Sequence, residues 1–305
     1  MDRLDAMTLF VAAVDEGSLS AAARRSGVPL ATVSRKVSDL EAHLKTRLLN
    51  RATRGLSLTD AGRDYYAACK RILDEVGEAE RAASGEYSAP KGDLVVTAPV
   101  VFGRIHMLPI VAEFLQAHPD VNVRLVLADR VINLHEERVD VALRISALPD
   151  SSLLAKRVGE IRRVICASPS YLDARGVPLE PQDLARHECI TFETLAAPAT
   201  WVFGDRERPL LVPVRSRLVT TTAEPAVDAA TLGIGIARVL SYQVAAAVRN
   251  GALRLILEGF EPPPVPVSLV YSGGGRIPLK LRAFLDFATP RLKARLSGFA
   301  APVSP

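Results

Sequence analysis

Cysteine is scarce in this chain. Its 305 residues include three, Cys69, Cys166 and Cys189, spaced too widely for a disulfide framework, so a reducing, cytoplasmic setting is expected. Long apolar runs are also missing. Residues 241–248 are uncharged but too few to cross a bilayer, and Pro and Gly interrupt 262–275, so no membrane association is expected. The N-terminal residues include Asp2, Arg3, Asp5, Asp15 and Glu16 rather than an apolar stretch ahead of a cleavage site, which argues against a secretory signal. His43, His106, His118, His135 and His187 have no metal-ligand spacing with one another or with the cysteines. No Gly-x-Ser-x-Gly and no phosphate-binding lysine motif occurs. Gly233 and Gly235 begin like a dinucleotide fingerprint, but Arg238 stands at the third glycine position. No catalytic residue, metal or cofactor is therefore expected.

Acid is scarce in one place. Between Arg24 and Arg54 the chain has eight Lys or Arg against two acids, a net charge of +6, while the whole chain is only +4 and the remainder therefore −2. Such local charge suits a polyanionic partner better than the sequence pI of 9.1 alone would suggest. The apolar share of 49% allows substantial cores, and the length fits two or three domains.

The basic segment has a specific pattern. Leu4, Met7, Phe10, Val11 and Val14 recur at helical spacing and predict a first helix ending before Gly17. Ser18 can cap a second helix, which Ala21, Ala22 and Ala23 keep thin enough for close packing. Gly27 supplies a turn in which positive φ costs little. A third helix carries Val33, Val37, Leu40 and Leu44 on one face and Leu30, Ala31, Thr32, Ser34, Arg35 and Lys36 on the other. A short strand, Leu56 to Thr59, follows a turn at Arg54 and Gly55 and makes a basic wing with Arg51, Thr53 and Arg54. This is a winged helix-turn-helix, with small, polar and basic residues where a helix would enter the major groove of double-stranded DNA. Base edges or adjoining phosphates would be met by Leu30, Ala31, Thr32, Ser34 and Arg35, and the DNA backbone by Lys36, Arg51, Thr53 and Arg54.

From Thr59 to about Ser88 no proline intervenes, and Ala61, Tyr65, Ala68, Ile72, Val76 and Ala79 form a near-heptad seam on a long helix. Residues 89–92 then read as a hinge. Beyond it strands alternate with helices: strand 93–97, helix 102–117, strand 121–127, a short helix 131–137 and strand 139–143. Such a βαβαβ run predicts a largely parallel sheet covered by helices. Alternation resumes after about Val164, and the chain closes with strand 265–271 and helix 279–296. Cys166 lies in an apolar strand and reads as a buried side chain; a Cys166–Cys189 redox switch would need an accessible, electropositive setting that the sequence does not show.

The segment from Gly17 to Thr59 resembles the DNA-binding domain of the LysR-type transcriptional regulators. The matching residues include Gly17 and Ser18, Ala21 to Ala23, Gly27 and Val28, Val33 to Arg35, Leu40 and Glu41, Leu48 to Arg51, and Leu56 to Gly62. Pro29 departs from the family's frequent Ser, which removes a side-chain cap from the reading helix. Leu30 and Ala31 are also less polar than usual, so contact with a thymine methyl is expected there. The later half resembles the family's effector domain at Ala98 to Gly103, His118 and Pro119, Asp140 to Arg144, Leu148 to Ser152, Leu232 to Ile236, Gly251 to Arg254 and Arg282 to Asp286.

The resemblance implies a winged helix-turn-helix domain (1–58), a linker and dimerisation helix with hinge (59–89), and a two-lobed effector domain (90–305) built like a periplasmic binding protein. Lobe I would comprise 91–163 with 267–295, and lobe II 164–266. It further implies a non-enzymatic regulator that acts as a homodimer or homotetramer and binds a small effector between the lobes. Ala98, Pro99, Val100, Phe102 and Gly103 lead into a helix whose N–H groups would hold an anion such as a carboxylate. Arg144 would fork onto the same group, and Thr220, Thr221 and Thr222 would bond the ligand from the other lobe. An enzyme or exported solute-binding protein with a basic appendage would instead need a catalytic constellation or an export signal.

Overall fold

The computed structural model describes residues 2–52, 55–83, 89–134, 136–148, 153–192, 200–205, 207–273 and 277–299. The chain divides into two units, Met1–Ala89 and Pro90–Pro305.

In the first unit, α1 (Arg3–Asp15) is capped by the Asp2 carboxylate, which accepts from the Leu4 and Asp5 N–H groups. Helix α2 (Leu19–Ser26) starts on the Ser18 hydroxyl and stops at Gly27, which adopts φ +64°. Helix α3 (Leu30–Leu44) begins after Pro29 with no side-chain cap and ends at Lys45 in the left-handed region. Strands β1 (Leu49–Ala52) and β2 (Gly55–Leu58) pair antiparallel with Ala52 opposite Gly55. Helix α4 spans Asp60–Ala83, and the rest of the expected linker, 84–88, lies outside the described residues. Ala6, Leu9, Phe10 and Ala13 of α1 meet Ala22 and Ala23 of α2, Val33, Val37 and Leu40 of α3, Leu48, Leu49 and Cys69 in one core. The two alanines leave no bulk between α2 and its neighbours, which is why this short helix packs closely enough to hold α3.

The second unit contains two five-stranded sheets. The first has order β4-β3-β5-β14-β6, from β3 (Gly92–Ala98), β4 (Val121–Leu127), β5 (Val141–Ile145), β6 (Leu153–Ile161) and β14 (Val265–Ser272). Strand β3 is parallel to β4 and β5, while β14 runs antiparallel to β5 and β6, so the sheet is mixed. One continuous helical segment covers it: α5 (Val100–Phe102), a π-turn (Gly103–Met107) and α6 (Leu108–Ala117). This segment is apolar and long enough to cross a membrane by composition, but Val101, Phe102, Met107, Ile110, Val111 and Phe114 are consumed in the lobe I core. Helix α10 (Leu279–Leu296) completes that core with Leu281, Phe284, Leu285, Ala288, Leu292 and Leu296.

The second sheet has order β11-β8-β12-β7-β13. Its strands are β7 (Arg163–Ala167), β8 (Glu188–Phe192), β11 (Arg215–Thr220), β12 (Ile236–Leu240) and β13 (Arg254–Ile256). Helices α8 (Ala223–Thr231) and α9 (Ser241–Arg249) follow β11 and β12. The opposite face carries α7 (Pro169–Arg175) and a hairpin of β9 (Thr200–Phe203) and β10 (Leu210–Pro213), whose Trp201, Phe203 and Val212 fill a second core.

Two crossovers join the lobes, at Arg162 and at 257–264. Strand β7 begins at Arg163 and β14 at Val265. At the first crossover Arg162 is buried, its guanidinium forking onto Glu261 at 2.7 Å twice and reaching Glu258 at 2.8 Å. Arg162 lies in one crossover and both glutamates in the other, so this charge-assisted cluster ties the two connections together.

One expected element is absent. Residues 131–134 and 136–138 are not helical. They make a single turn, with the Glu137 N–H on the Asn133 carbonyl and the Val139 N–H on the Leu134 carbonyl. The turn stops at Arg138, where φ is +54°. Ile132 and Leu134 are buried against Ala142 and Val139, and the Ile132 carbonyl accepts from the Arg144 guanidinium at 2.8 Å. A side chain thus takes an acceptor that a helix would need. The strand expected at 139–143 accordingly starts later, because Asp140 is occupied with the Val95 backbone.

Candidate nucleic-acid interface and effector cleft

On α3 the residues divide by the helical period. Val33, Val37 and Leu40 are buried, whereas Leu30, Ala31, Arg35, Ser38 and Ala42 are exposed. Ala31, Arg35, Ser38 and Ala42 stand at i, i+4, i+7 and i+11, one continuous outward stripe. Thr32 and Ser34 flank it, half-buried. Lys36 turns the other way: its ammonium pairs with Asp5 of α1, so it braces α1 and α3. Arg25 likewise pairs with Glu16 at 2.7 Å. Of the wing residues, Arg51 lies in β1 opposite Leu56; Thr53 and Arg54 lie outside the described residues.

The wing is tied to α3 by one carboxylate. Glu41 accepts from the Leu48 N–H at 2.7 Å and the Leu49 N–H at 3.0 Å. Thr59 donates to the Arg47 carbonyl at 2.7 Å and accepts from the Gly62 N–H at 2.9 Å. At Gly62 a Cβ would stand 2.0 Å from the Leu48 carbonyl oxygen, so the start of α4 rests directly on the backbone leading into β1. Gly62→Ala is therefore expected to lower the stability of the first unit by about 2 kcal/mol, as overpacking typically does. Denaturant unfolding checks it, and an unchanged midpoint would show that this close approach does not matter.

The first half of α4 docks on its own unit. Phe10 meets Tyr65 at 5.9 Å and Tyr66 at 6.5 Å between ring centroids, and the Tyr66 hydroxyl donates to Asp15. Burial pushes the Cys69 thiol up to about 11. Further along, Ile72 and Ala79 are exposed and Val76 is half-buried.

In the second unit the lobes meet where the carboxyl ends of β11 and β12 approach α5. Ala223 and Tyr242 of lobe II join the lobe I core. Phe102 lies edge-on to Tyr242 at 5.4 Å, and Arg104 pairs with Glu224 at 2.7 Å. The expected anion-binding helix start is not open. Asp129 accepts from the Val100 N–H at 3.0 Å, while Ala98, Phe102 and Gly103 are buried. A Cβ on Gly103 would meet Leu127 at 2.1 Å, so this glycine lets the helix start close onto β4. Pro99 and Val100 stay half-buried. Arg144 is half-buried and donates to the Ile132 carbonyl at 2.8 Å. Thr220 donates to the Thr222 carbonyl at 3.0 Å; Thr221 is exposed and Thr222 half-buried just before α8.

The cysteines are ill placed for redox chemistry. Cys166 pairs in register with Ala237, whereas Cys189 pairs with Ile236. Adjacent residues of a strand point to opposite faces, so the two thiols lie on opposite sides of the lobe II sheet. Burial pushes each up to about 12, far from a reactive thiolate. No group of three or more His, Cys, Asp or Glu placed to hold a metal occurs among the described residues.

Comparison with known proteins bears directly on this arrangement. Residues 4–63 match the family model of the bacterial regulatory helix-turn-helix protein, lysR family, and residues 88–293 match the LysR substrate binding domain. The chain belongs to the LysR family. It is 35% identical over 288 residues to an HTH-type transcriptional regulator of Xanthomonas campestris, covering 93% of this chain and 84% of that one. It is 32% identical to the HTH-type transcriptional activator AaeR of Escherichia coli, over 95% and 94% of the two chains. The structure of CrgA, a LysR-type transcriptional regulator from Neisseria meningitidis, superposes with a TM-score of 0.61 at 32% identity, over 94% of this chain and 98% of CrgA. LysR-type proteins are transcriptional regulators, not enzymes; they bind DNA and small-molecule effectors.

In this LysR-family chain the sequence reading overlooked three features. Ser38 continues the outward stripe of α3, a signal available from its i+3 spacing to Arg35. Asp129 closes the start of α5 from a loop after β4, which no local pattern reveals. Arg163 and Arg238 lie on neighbouring strands whose pairing emerges only from the sheet order.

Proposed function

We propose that α3 reads the major groove through Ala31 and Arg35, with Leu30, Thr32 and Ser34 at its edges, while Arg51, Thr53 and Arg54 hold the flanking backbone. The observation that carries this reading is the outward stripe of α3, small and basic, on a helix whose other face is fully buried. A second copy packs along Ile72, Val76 and Ala79 of α4, the part of the seam that its own unit leaves uncovered, giving a cytoplasmic homodimer or a tetramer built from it. A small effector enters between the lobes near Pro99, Val100, Thr221 and Thr222 and changes how the paired DNA-binding domains sit on their sites.

Gel-shift titration against the promoter beside the protein's own coding sequence tests this. Arg35→Ala is expected to relax sequence preference, costing about 1–3 kcal/mol on the specific site and much less on random DNA. Arg54→Ala weakens all sequences alike and reduces the salt slope by about 1. Equal losses on specific and random DNA in both variants would defeat these assignments.

A further inference from the structure

Three arginines, Arg157, Arg162 and Arg163, fall between the middle of β6 and the start of β7, and among the described residues only two are matched by acids. Arg157 pairs with Glu160 at 2.6 Å, and Arg162 with Glu258 and Glu261 at 2.8 and 2.7 Å. Arg163, the next residue, pairs with no acid, and neither does Arg238 among the described residues. The sheet brings these two together. Arg163 stands opposite Leu240, and Arg238 opposite Ile165, on adjacent antiparallel strands β7 and β12. Cross-strand partners share a face, so both arginines project from the same side as diagonal neighbours. That side carries the hairpin core. Arg238 donates to the Val202 carbonyl at 2.6 Å and its guanidinium lies 5.7 Å from the centroid of Phe203, which leaves most of its donors uncommitted.

Both side chains also lie near the lobe junction. Arg163 is opposite Leu240, which packs on the lobe I core, and Tyr242, two residues on, touches Phe102. Surrounding protein lowers the Arg163 pKa below the usual arginine range, yet the residue remains exposed. Both conditions hold for a group on the wall of a concavity. Burial, and then Arg163 itself, lower Arg238 to about 10, so Arg238 remains cationic at neutral pH. Two like charges on a partly desolvated wall, with no acid beside them, are a poor arrangement for stability and a good one for an anion.

We propose that Arg163 and Arg238 together receive a carboxylate group of the effector, the planar guanidinium forks meeting its two oxygens from lobe II. This rests on the reading that the second unit binds a small effector, and it moves the anion anchor from Arg144 and the start of α5 to the opposite lobe.

The full-length protein tests it, by thermal shift and calorimetric titration with millimolar benzoate and succinate, their amides benzamide and succinamide, and sulfate. At least one carboxylate is expected to raise the melting temperature and its amide to leave it unchanged, by the mass action of a ligand that binds only the folded form. Arg163→Met and Arg238→Met should each weaken that carboxylate by about tenfold or more, and Arg186→Met, on the exposed surface of lobe II, should not. Because Arg163 pairs with no acid among the described residues, Arg163→Met should raise or preserve the unliganded melting temperature, so that lost binding is not lost folding. Carboxylate binding undiminished in both variants, amides binding as tightly as acids, a response to sulfate alone, or no response to either acid would each overturn the proposal. If an uncharged compound alters the DNA complex instead, the effector reading stands and only the carboxylate anchor falls.

Discussion

A fragment of residues 90–305 is expected to fold on its own and to bind no DNA, specific or random. The buried clusters divide cleanly between the two units. Every residue of the first unit's core lies between Ala6 and Cys69, and the buried residues of the effector-domain clusters lie between Leu94 and Leu296. Removing the first 89 residues therefore opens no cavity in the remaining cores. It does remove the +6 segment; the fragment itself is net +4, but its 25 Lys and Arg are interspersed with 21 acids over 216 residues. Affinity for a phosphate backbone needs basic residues gathered on one face, so binding should vanish with the segment that concentrates them. A cooperative thermal melt together with an unshifted gel checks both halves of the expectation. A shifted band with this fragment would place DNA contacts in the second unit and undo the division of labour.

Much of the first unit was legible because its determinants are local. Ser18 capping α2, Gly27 at positive φ and the Val33, Val37, Leu40 stripe each act within one turn of helix, and each appears as expected. Glu41 and Gly62 illustrate the limit. Both fall in the matched motif, but their purpose, one carboxylate gripping two N–H groups of the wing and one missing Cβ admitting a carbonyl, depends on a contact between elements. Lys36 shows the same limit in reverse: helical position alone placed it beside Arg35, and only the packing of α1 turns it toward Asp5.

In the effector domain local pattern misled where tertiary partners intervened. The 131–137 segment has helix-compatible residues, but Arg144 takes the Ile132 carbonyl and Arg138 turns the chain left-handed. One interaction thus accounts for the missing helix and holds one end of the Arg144 guanidinium against that turn. The β9–β10 hairpin was not anticipated, because among the described residues its strands pair with each other and not with the main sheet. The same hairpin supplies the Val202 carbonyl that positions Arg238, which is why that arginine could not be singled out from sequence.

Acidification from pH 6.5 to about 4 is expected to cost this protein about 3 kcal/mol of stability through His106 alone. His106 sits in the π-turn between α5 and α6, 7% exposed. Its ring contacts Phe102 at 4.8 Å, Tyr242 at 5.6 Å and Phe299 at 5.6 Å, and its Nε2 has no hydrogen-bond partner among the described residues. Burial first, and the Arg295 charge second, lower its pKa from 6.5 to about 4. Above pH 6.5 the imidazole is neutral in both folded and unfolded chains, and the full stability is present. Between 6.5 and about 4 the unfolded chain takes up a proton that the folded one refuses, so stability falls as pH falls. Below about 4 both forms are protonated and no further loss arises from this residue. The ring that must accept the proton is wedged between Phe102 of lobe I and Tyr242 of lobe II, so the loss is concentrated at the junction of the lobes. His187 is shifted in the same direction, mainly by burial, so the informative comparison is between the native protein and His106→Leu, which share His187. Denaturant midpoints measured from pH 8 to pH 4 should diverge, with the variant losing less. Parallel curves would mean that His106 is protonated as readily in the folded chain as in the unfolded one.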